Sequence, residues 1–174
     1  MKNILLVLAI FLLMGASCSF DKTSIDNLVE NTTNTEQKIE QEDINVDISN
    51  KDSLDLSGQG LQQVDQSVFK KTNLLKLDVS NNQLTGALPS QINQLQRLQV
   101  LNASNNKMTG VPAEIGQLSN LIELNLANNQ LTGLPYELGN LQNLKILNLS
   151  GNQTSRQDLD IIRQSLPSNV QIIE

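Results

Sequence analysis

Residues 121–131 read L-I-E-L-N-L-A-N-N-Q-L, with leucine at 121, 124, 126 and 131 and asparagine at 129. The alternation Leu124, Asn125, Leu126 is the period-two sign of a strand with one face buried. Eleven residues cannot bury that face alone, so the stretch asks for copies of itself. They lie on both sides. Leu74, Leu77, Val79, Asn82 and Leu84 repeat the spacing, as do Leu98, Leu101, Ala103, Asn106 and Met108, and then Leu144, Leu147, Leu149 and Asn152. A degenerate leading copy is Leu54, Leu56, Gln59 and Leu61. The asparagines at 82, 106, 129 and 152 step by 24, 23 and 23 residues. A period of this size means a stack of coils, each burying its apolar side against the next.

The pattern L-x-x-L-x-L-x-x-N-x-L resembles the leucine-rich-repeat family over about residues 51–174. The resemblance implies an α/β solenoid with a short parallel concave sheet, helical or 3₁₀ convex turns and a C-terminal capping helix. In each coil a strand such as Lys76 to Ser80 points Leu77 and Val79 inward and Lys76, Asp78 and Ser80 outward. The asparagine of each copy sits where the chain turns, and its amide can satisfy backbone groups that are otherwise buried unpaired. Asn82, Asn106, Asn129 and Asn152 are therefore expected to form a ladder, with Gln59 fitting less well at its head. Leu88-Pro89, Val111-Pro112 and Leu134-Pro135 open the return half of each coil, where proline suits the start of a helical turn. Thr85-Gly86, Thr109-Gly110 and Thr132-Gly133 supply a bend in which glycine can take positive φ.

Both ends of the stack need covers. Ile44, Val46 and Ile48 alternate with Asn45, Asp47 and Ser49, a strand placed to cap the first coil. At the other end Ser155 precedes Asp158 by three residues, the capping-box spacing in which a hydroxyl caps a helix and the acid returns the bond. Leu159, Ile162 and Leu166 recur at helical spacing, Pro167 stops the helix, and Val170 and Ile172 alternate as a last strand. A chain ending in this way reads as complete.

Residues 1–17 read as a signal peptide. Lys2 supplies a positive start, Ile4 to Met14 is apolar, and Gly15-Ala16-Ser17-Cys18 is a small-residue cleavage site. The apolar run is too short for a membrane-spanning helix, which takes about 20 residues. Gly15-Ala16-Ser17-Cys18 is similar to the bacterial lipoprotein box, which implies acyl chains on Cys18; the departure is Gly15, where that box usually carries a larger aliphatic residue. Ordinary signal cleavage near the same place is the other reading. Cys18 is the sole cysteine and has no disulfide or metal partner within the chain. Ser19 after that cysteine resembles the signal for outer-membrane delivery in a two-membrane bacterium. Residues 18–42 then form a polar tether, and 43–174 the repeat domain with its caps.

Removing Lys2 takes the formal charge from −6 to −7, which argues against nucleic acid as a partner and leaves membrane attachment to the acyl chains. Histidine and tryptophan are absent. With the cysteine at the membrane end, the usual nucleophile, base and metal ligands are missing, so neither catalysis nor a cofactor is expected. Asp55 and Asp78 on adjacent strands read either as a weak cationic-partner site or as two solvated acids. Binding of a protein or peptide is expected on the outward strand positions: Lys76, Asp78, Ser80; Val100, Asn102, Ser104; Glu123, Asn125, Ala127; Ile146, Asn148 and Ser150. About five strands at roughly 4.8 Å give a face near 400 Å², half the roughly 800 Å² per partner of a standard interface. The loop edge with Lys107, Tyr136 and Glu137 could add area; Phe69 is read as core.

Overall fold

The computed structural model describes residues 52–174. The expected signal peptide, Cys18, the expected tether and the strand expected at 44–48 lie outside the described residues.

Each coil begins with a three-residue strand, and successive strands stack in parallel and in register. In chain order they are β1 (Ser53–Asp55), β2 (Lys76–Asp78), β3 (Thr85–Gly86), β4 (Val100–Asn102), β5 (Lys107–Met108), β6 (Glu123–Asn125), β7 (Ile146–Asn148) and β8 (Gln171–Ile173). The main sheet runs β1-β2-β4-β6-β7-β8, while β3 and β5 pair separately. The expected last strand joins the main sheet as its sixth member. The small second sheet was not anticipated.

Register turns the repeat into columns. Leu54, Leu77, Leu101, Leu124, Leu147 and Ile172 are aligned partners across the sheet. Leu77, Leu101, Leu124 and Leu147 are fully buried, as are Leu98, Leu121, Ile92 and Ile115 from other parts of the coils. This is the shared spine, and Phe69 is part of it.

The return half of each coil is a single 3₁₀ turn: Gln66–Lys70, Ser90–Gln94, Ala113–Gln117 and Tyr136–Asn140. Pro89, Pro112 and Pro135 stand at the N-cap, and their carbonyls accept from Ile92, Ile115 and Leu138 N–H at 3.0, 3.1 and 3.2 Å. Proline lacks the donor that would be orphaned there. Asp65 replaces it in the first coil and caps with its side chain instead, accepting from Ser67 N–H at 2.8 Å. The return halves pack through glycine: a Cβ on Gly116 would collide with the Glu137 carbonyl of the next 3₁₀ turn, and one on Gly139 would lie 2.6 Å from Ser165 Cβ of the C-terminal helix.

Of the three Thr-Gly bends only Gly86 takes positive φ, at 68°. Gly60 apart, the other left-handed residues are Gly58, Asn81, Asn105, Asn128 and Gly151, each immediately before the ladder position of its coil. Asparagine is the side chain other than glycine that tolerates this conformation best. The first asparagine of each Asn-Asn pair therefore bends the chain and the second fills the inside of the bend.

Helix α1 (Arg156–Ser165) covers the last coil with Leu159 and Ile162 buried. Ser155 caps it, its hydroxyl accepting from Asp158 N–H at 3.3 Å. The reciprocal half of the capping box does not form. Ser155 N–H donates to Thr132 O, and the Asp158 carboxylate reaches the previous coil to accept from Leu134 N–H at 3.3 Å. The acid ties the cap to the coil, which the box spacing alone did not disclose.

Candidate interaction surface

The ladder is complete from Asn82 onward. Asn106, Asn129 and Asn152 accept from Leu84, Met108 and Leu131 N–H of the preceding coil at 3.0, 3.0 and 3.1 Å, and Asn82 accepts from both Gln59 and Leu61 N–H. Their amide groups donate back to carbonyls of their own and the preceding coil, as Asn129 does to Leu126 O and Ala103 O at 3.0 Å each. Gln59 is exposed and contributes only its backbone.

Facing away from this interior, the main sheet presents two aligned columns. One runs Ser53, Lys76, Val100, Glu123, Ile146 and Gln171; the other runs Asp55, Asp78, Asn102, Asn125, Asn148 and Ile173. Lys76, Val100, Glu123 and Ile146 are half-buried. The column opens with a cation and has an acid between two aliphatic side chains, which suits a partner offering both charge and apolar contact.

The second column is occupied locally. Asp78, Asn102, Asn125 and Asn148 each accept through Oδ1 from the N–H two residues on, at 2.9, 3.2, 3.1 and 3.1 Å. This Asx turn closes β2, β4, β6 and β7. Asn102 also donates to Asp78 Oδ2 at 3.0 Å, and Ser104 and Ser150 hydroxyls donate to the same oxygens that their N–H groups use. Asp55 accepts from Ser57 N–H at 2.9 Å, and that backbone bond, with the Ser57 side chain and nearby Lys76, holds its pKa below the usual value against a small desolvation effect.

Three expected contact positions are corrected. Ser80, Ser104 and Ala127 are buried, at 3, 6 and 5 % exposure. Strict alternation would have put them outward, but the strands end at Asp78, Asn102 and Asn125. The Asx turn and the left-handed residue then fold the next side chain into the corner. Ser150, half-buried, occupies the same corner in the last coil and bonds to Asn148.

A column missed by the sequence reading lies one residue before the strands: Leu75, Gln99, Ile122 and Lys145, all half-buried. Backbone bonds from Gln99 N–H to Leu75 O and from Lys145 N–H to Ile122 O extend the ladder through it. Gln99 Oε1 is buried without a hydrogen-bond partner. Its signal was the first variable position of L-x-x-L, aliphatic in two of the four coils.

The described residues include no group of three or more acidic, histidine or cysteine side chains able to hold a metal. A hollow of about 240 Å³ beside Gln62, Gln66, Ala87 and Met108 is lined by amide and apolar side chains and the Thr85 hydroxyl, with no titratable residue. No helix among the described residues is long and apolar enough to cross a membrane.

A sequence profile described as a leucine-rich repeat region matches residues 53–167. The chain belongs to the leucine-rich-repeat family. Among solved structures it is similar to a leucine-rich-repeat protein of Leptospira interrogans, at 39 % identity over 65 % of this chain and 28 % of that one, with a TM-score of 0.61. It is also similar to the plant peptide hormone receptor RGFR1 in complex with RGF2, at 32 % identity over 70 % of this chain and 20 % of the receptor, TM-score 0.57. A third likeness is to the BIR3–SERK2 complex of Arabidopsis thaliana, at 36 % identity over 59 % of this chain and 56 % of the matched one, TM-score 0.54. The repeat chain thus spans only part of each of these relatives. No curated protein matches. Members of the leucine-rich-repeat family are usually non-enzymatic protein-interaction scaffolds, and two of these neighbours are complexes with a protein or peptide.

Proposed function

We propose that this leucine-rich-repeat chain is a non-catalytic protein-binding module displayed on a bacterial membrane by acyl chains on Cys18, serving adhesion or envelope assembly. The observation that carries the binding half is the column Lys76, Val100, Glu123 and Ile146. These side chains take no part in the Asx turns, share one face, and stand in fixed register on a rigid sheet. The solved neighbours in complex with a peptide or a protein support the same reading. Gly15-Ala16-Ser17-Cys18 after an apolar run supports the anchor. The partner is a protein or peptide, and a net acidic chain does not favour nucleic acid. With six strands at roughly 4.8 Å the face is about 29 Å long, so a short peptide suits it better than a broad domain surface.

The second reading is a structural spacer lipoprotein without a specific ligand, favoured by the second column, where each oxygen already has a local donor. One experiment separates them. Cross-linking of the full chain in its native envelope is compared with that of Glu123→Lys/Ile146→Arg, whose changes avoid the ladder and the Asx turns. Loss of specific cross-links at an unchanged unfolding midpoint supports binding; identical cross-links support the spacer. Radiolabelled palmitate incorporation, abolished in Cys18→Ser, tests the anchor separately.

A further inference from the structure

We propose that the column Lys76, Val100, Glu123 and Ile146 takes a proline-rich peptide in the polyproline II conformation, with an acidic residue over Lys76 and a basic residue three positions later over Glu123. The inference rests on the binding half of the proposed function and adds the chemistry and shape of the partner. Its starting point is the order of the side chains. Charged and aliphatic residues alternate along the column, which ends at the exposed amide of Gln171. Each kind therefore recurs at every second strand, and two steps of roughly 4.8 Å give about 9.6 Å. Among the described residues neither Lys76 nor Glu123 has an ion-pair partner. Their opposite charges call for an anion and a cation set that distance apart.

The regular peptide conformations differ in whether they can meet this spacing when laid across the strands. In polyproline II the same edge returns every three residues, about 9.3 Å. An extended strand presents one face every two residues, about 6.7 Å, so its second side chain falls between Val100 and Glu123. An α-helix returns its face near every seven residues, about 10.5 Å, and is out of step by almost 2 Å when it reaches Gln171. Over the same four strand steps polyproline II falls short by only about 0.6 Å.

Backbone chemistry favours the same conformation. The inner strands spend their amides and carbonyls on one another, so the face offers side chains alone. A strand-like peptide gains its affinity at a sheet edge instead. Polyproline II needs no backbone partner, and proline has no N–H to leave unsatisfied. With the acid over Lys76, the next two residues straddle Val100, the basic residue reaches Glu123, two more straddle Ile146 and a seventh meets Gln171. Prolines at the straddling positions supply the apolar contact. Lys76 lies near Asp55, which offsets part of its charge, so Glu123 is the more discriminating of the two.

The test is fluorescence anisotropy of labelled peptides with the full chain. The probe is Pro-Glu-Pro-Pro-Lys-Pro-Pro-Gln-Pro. A second peptide, Pro-Glu-Pro-Lys-Pro-Pro-Pro-Gln-Pro, brings the two charges one residue closer, and a third, Pro-Glu-Pro-Pro-Glu-Pro-Pro-Gln-Pro, reverses the second charge. The parent is expected to bind the probe at least about three-fold more tightly than either of the others. Glu123→Lys, at an unchanged unfolding midpoint, is expected to prefer the third peptide to the probe. Equal binding of the probe and the second peptide by the parent overturns the proposal, and this comparison needs no variant to fold. An unreversed preference in Glu123→Lys also overturns it, as does failure of the probe to bind the parent. If in that case the envelope cross-links of the parent still vanish in Glu123→Lys/Ile146→Arg, the protein-binding reading stands and only the proline-rich partner is lost.

Discussion

Replacing Asn129 by alanine removes one rung of the ladder, and the neighbouring bonds fix the size of the effect. The side chain accepts from Met108 N–H at 3.0 Å and donates to Ala103, Leu126 and Ala127 carbonyls at 3.0, 3.0 and 3.3 Å. The carbonyls do not become orphans: Ala103 O also accepts from the Asn106 amide, Leu126 O from the Asn152 amide, and Ala127 O from Asn105 N–H. Met108 N–H has no such second partner. The loss is therefore one buried donor left unsatisfied, about 1–3 kcal/mol, plus three shared bonds at the low end of about 0.5 kcal/mol each. The total is roughly 2.5–4.5 kcal/mol, a large part of the roughly 5–15 kcal/mol by which a domain is stable. Asn152→Ala, at a half-buried rung next to the cap, leaves Leu131 N–H closer to water and should cost about half as much. Urea unfolding of both variants followed by far-ultraviolet circular dichroism, with the slopes compared, measures the pair. A cost below about 1 kcal/mol for Asn129→Ala, or a larger cost at Asn152, would refute the reasoning.

Three further outcomes follow from particular contacts. Gly116→Ala should destabilise by about 3 kcal/mol because the new methyl meets the Glu137 backbone, whereas Gly110→Ala, with its nearest neighbour at 3.9 Å, should change the same thermal midpoint little. Gln99→Leu should stabilise by about 1 kcal/mol in chemical denaturation, since it removes the partnerless buried Oε1 from a column that already holds Leu75 and Ile122. Asp65 has its pKa held below 3.8 by the Ser67 hydroxyl and then by Ser67 N–H. A depressed folded value contributes stability above 3.8 that is lost as pH falls through the lowered one, so Asp65→Asn should flatten the acid limb of a midpoint-against-pH profile and leave neutral pH behaviour flat.

Most of the architecture was readable because the leucines and the second asparagine of each pair answer to demands that any such coil makes: an apolar interior and a buried turn. Phe69 and the Pro-led 3₁₀ turns followed for the same reason. What escaped depended on where a strand stops. Alternation continued through Ser80, Ser104 and Ala127 on paper, but Asp78, Asn102 and Asn125 each close their strand with an Asx turn, and these three residues drop into the corner. The outward Asp and Asn side chains were expected to be open to a partner, but Asp78, Asn102, Asn125 and Asn148 each commit Oδ1 to a local backbone N–H. Gly110 and Gly133 were credited with a backbone freedom that, of the three Thr-Gly bends, only Gly86 uses.

The uniform register between neighbouring strands has a bearing on how such a protein changes over generations. Because every junction in the middle of the stack presents the same bonding pattern to the next, excising residues 99–121 would splice Leu98 to Ile122 and join two surfaces already shaped for each other. The length of the stack can then be extended or trimmed by copying or dropping a whole segment, without redesign of the remainder.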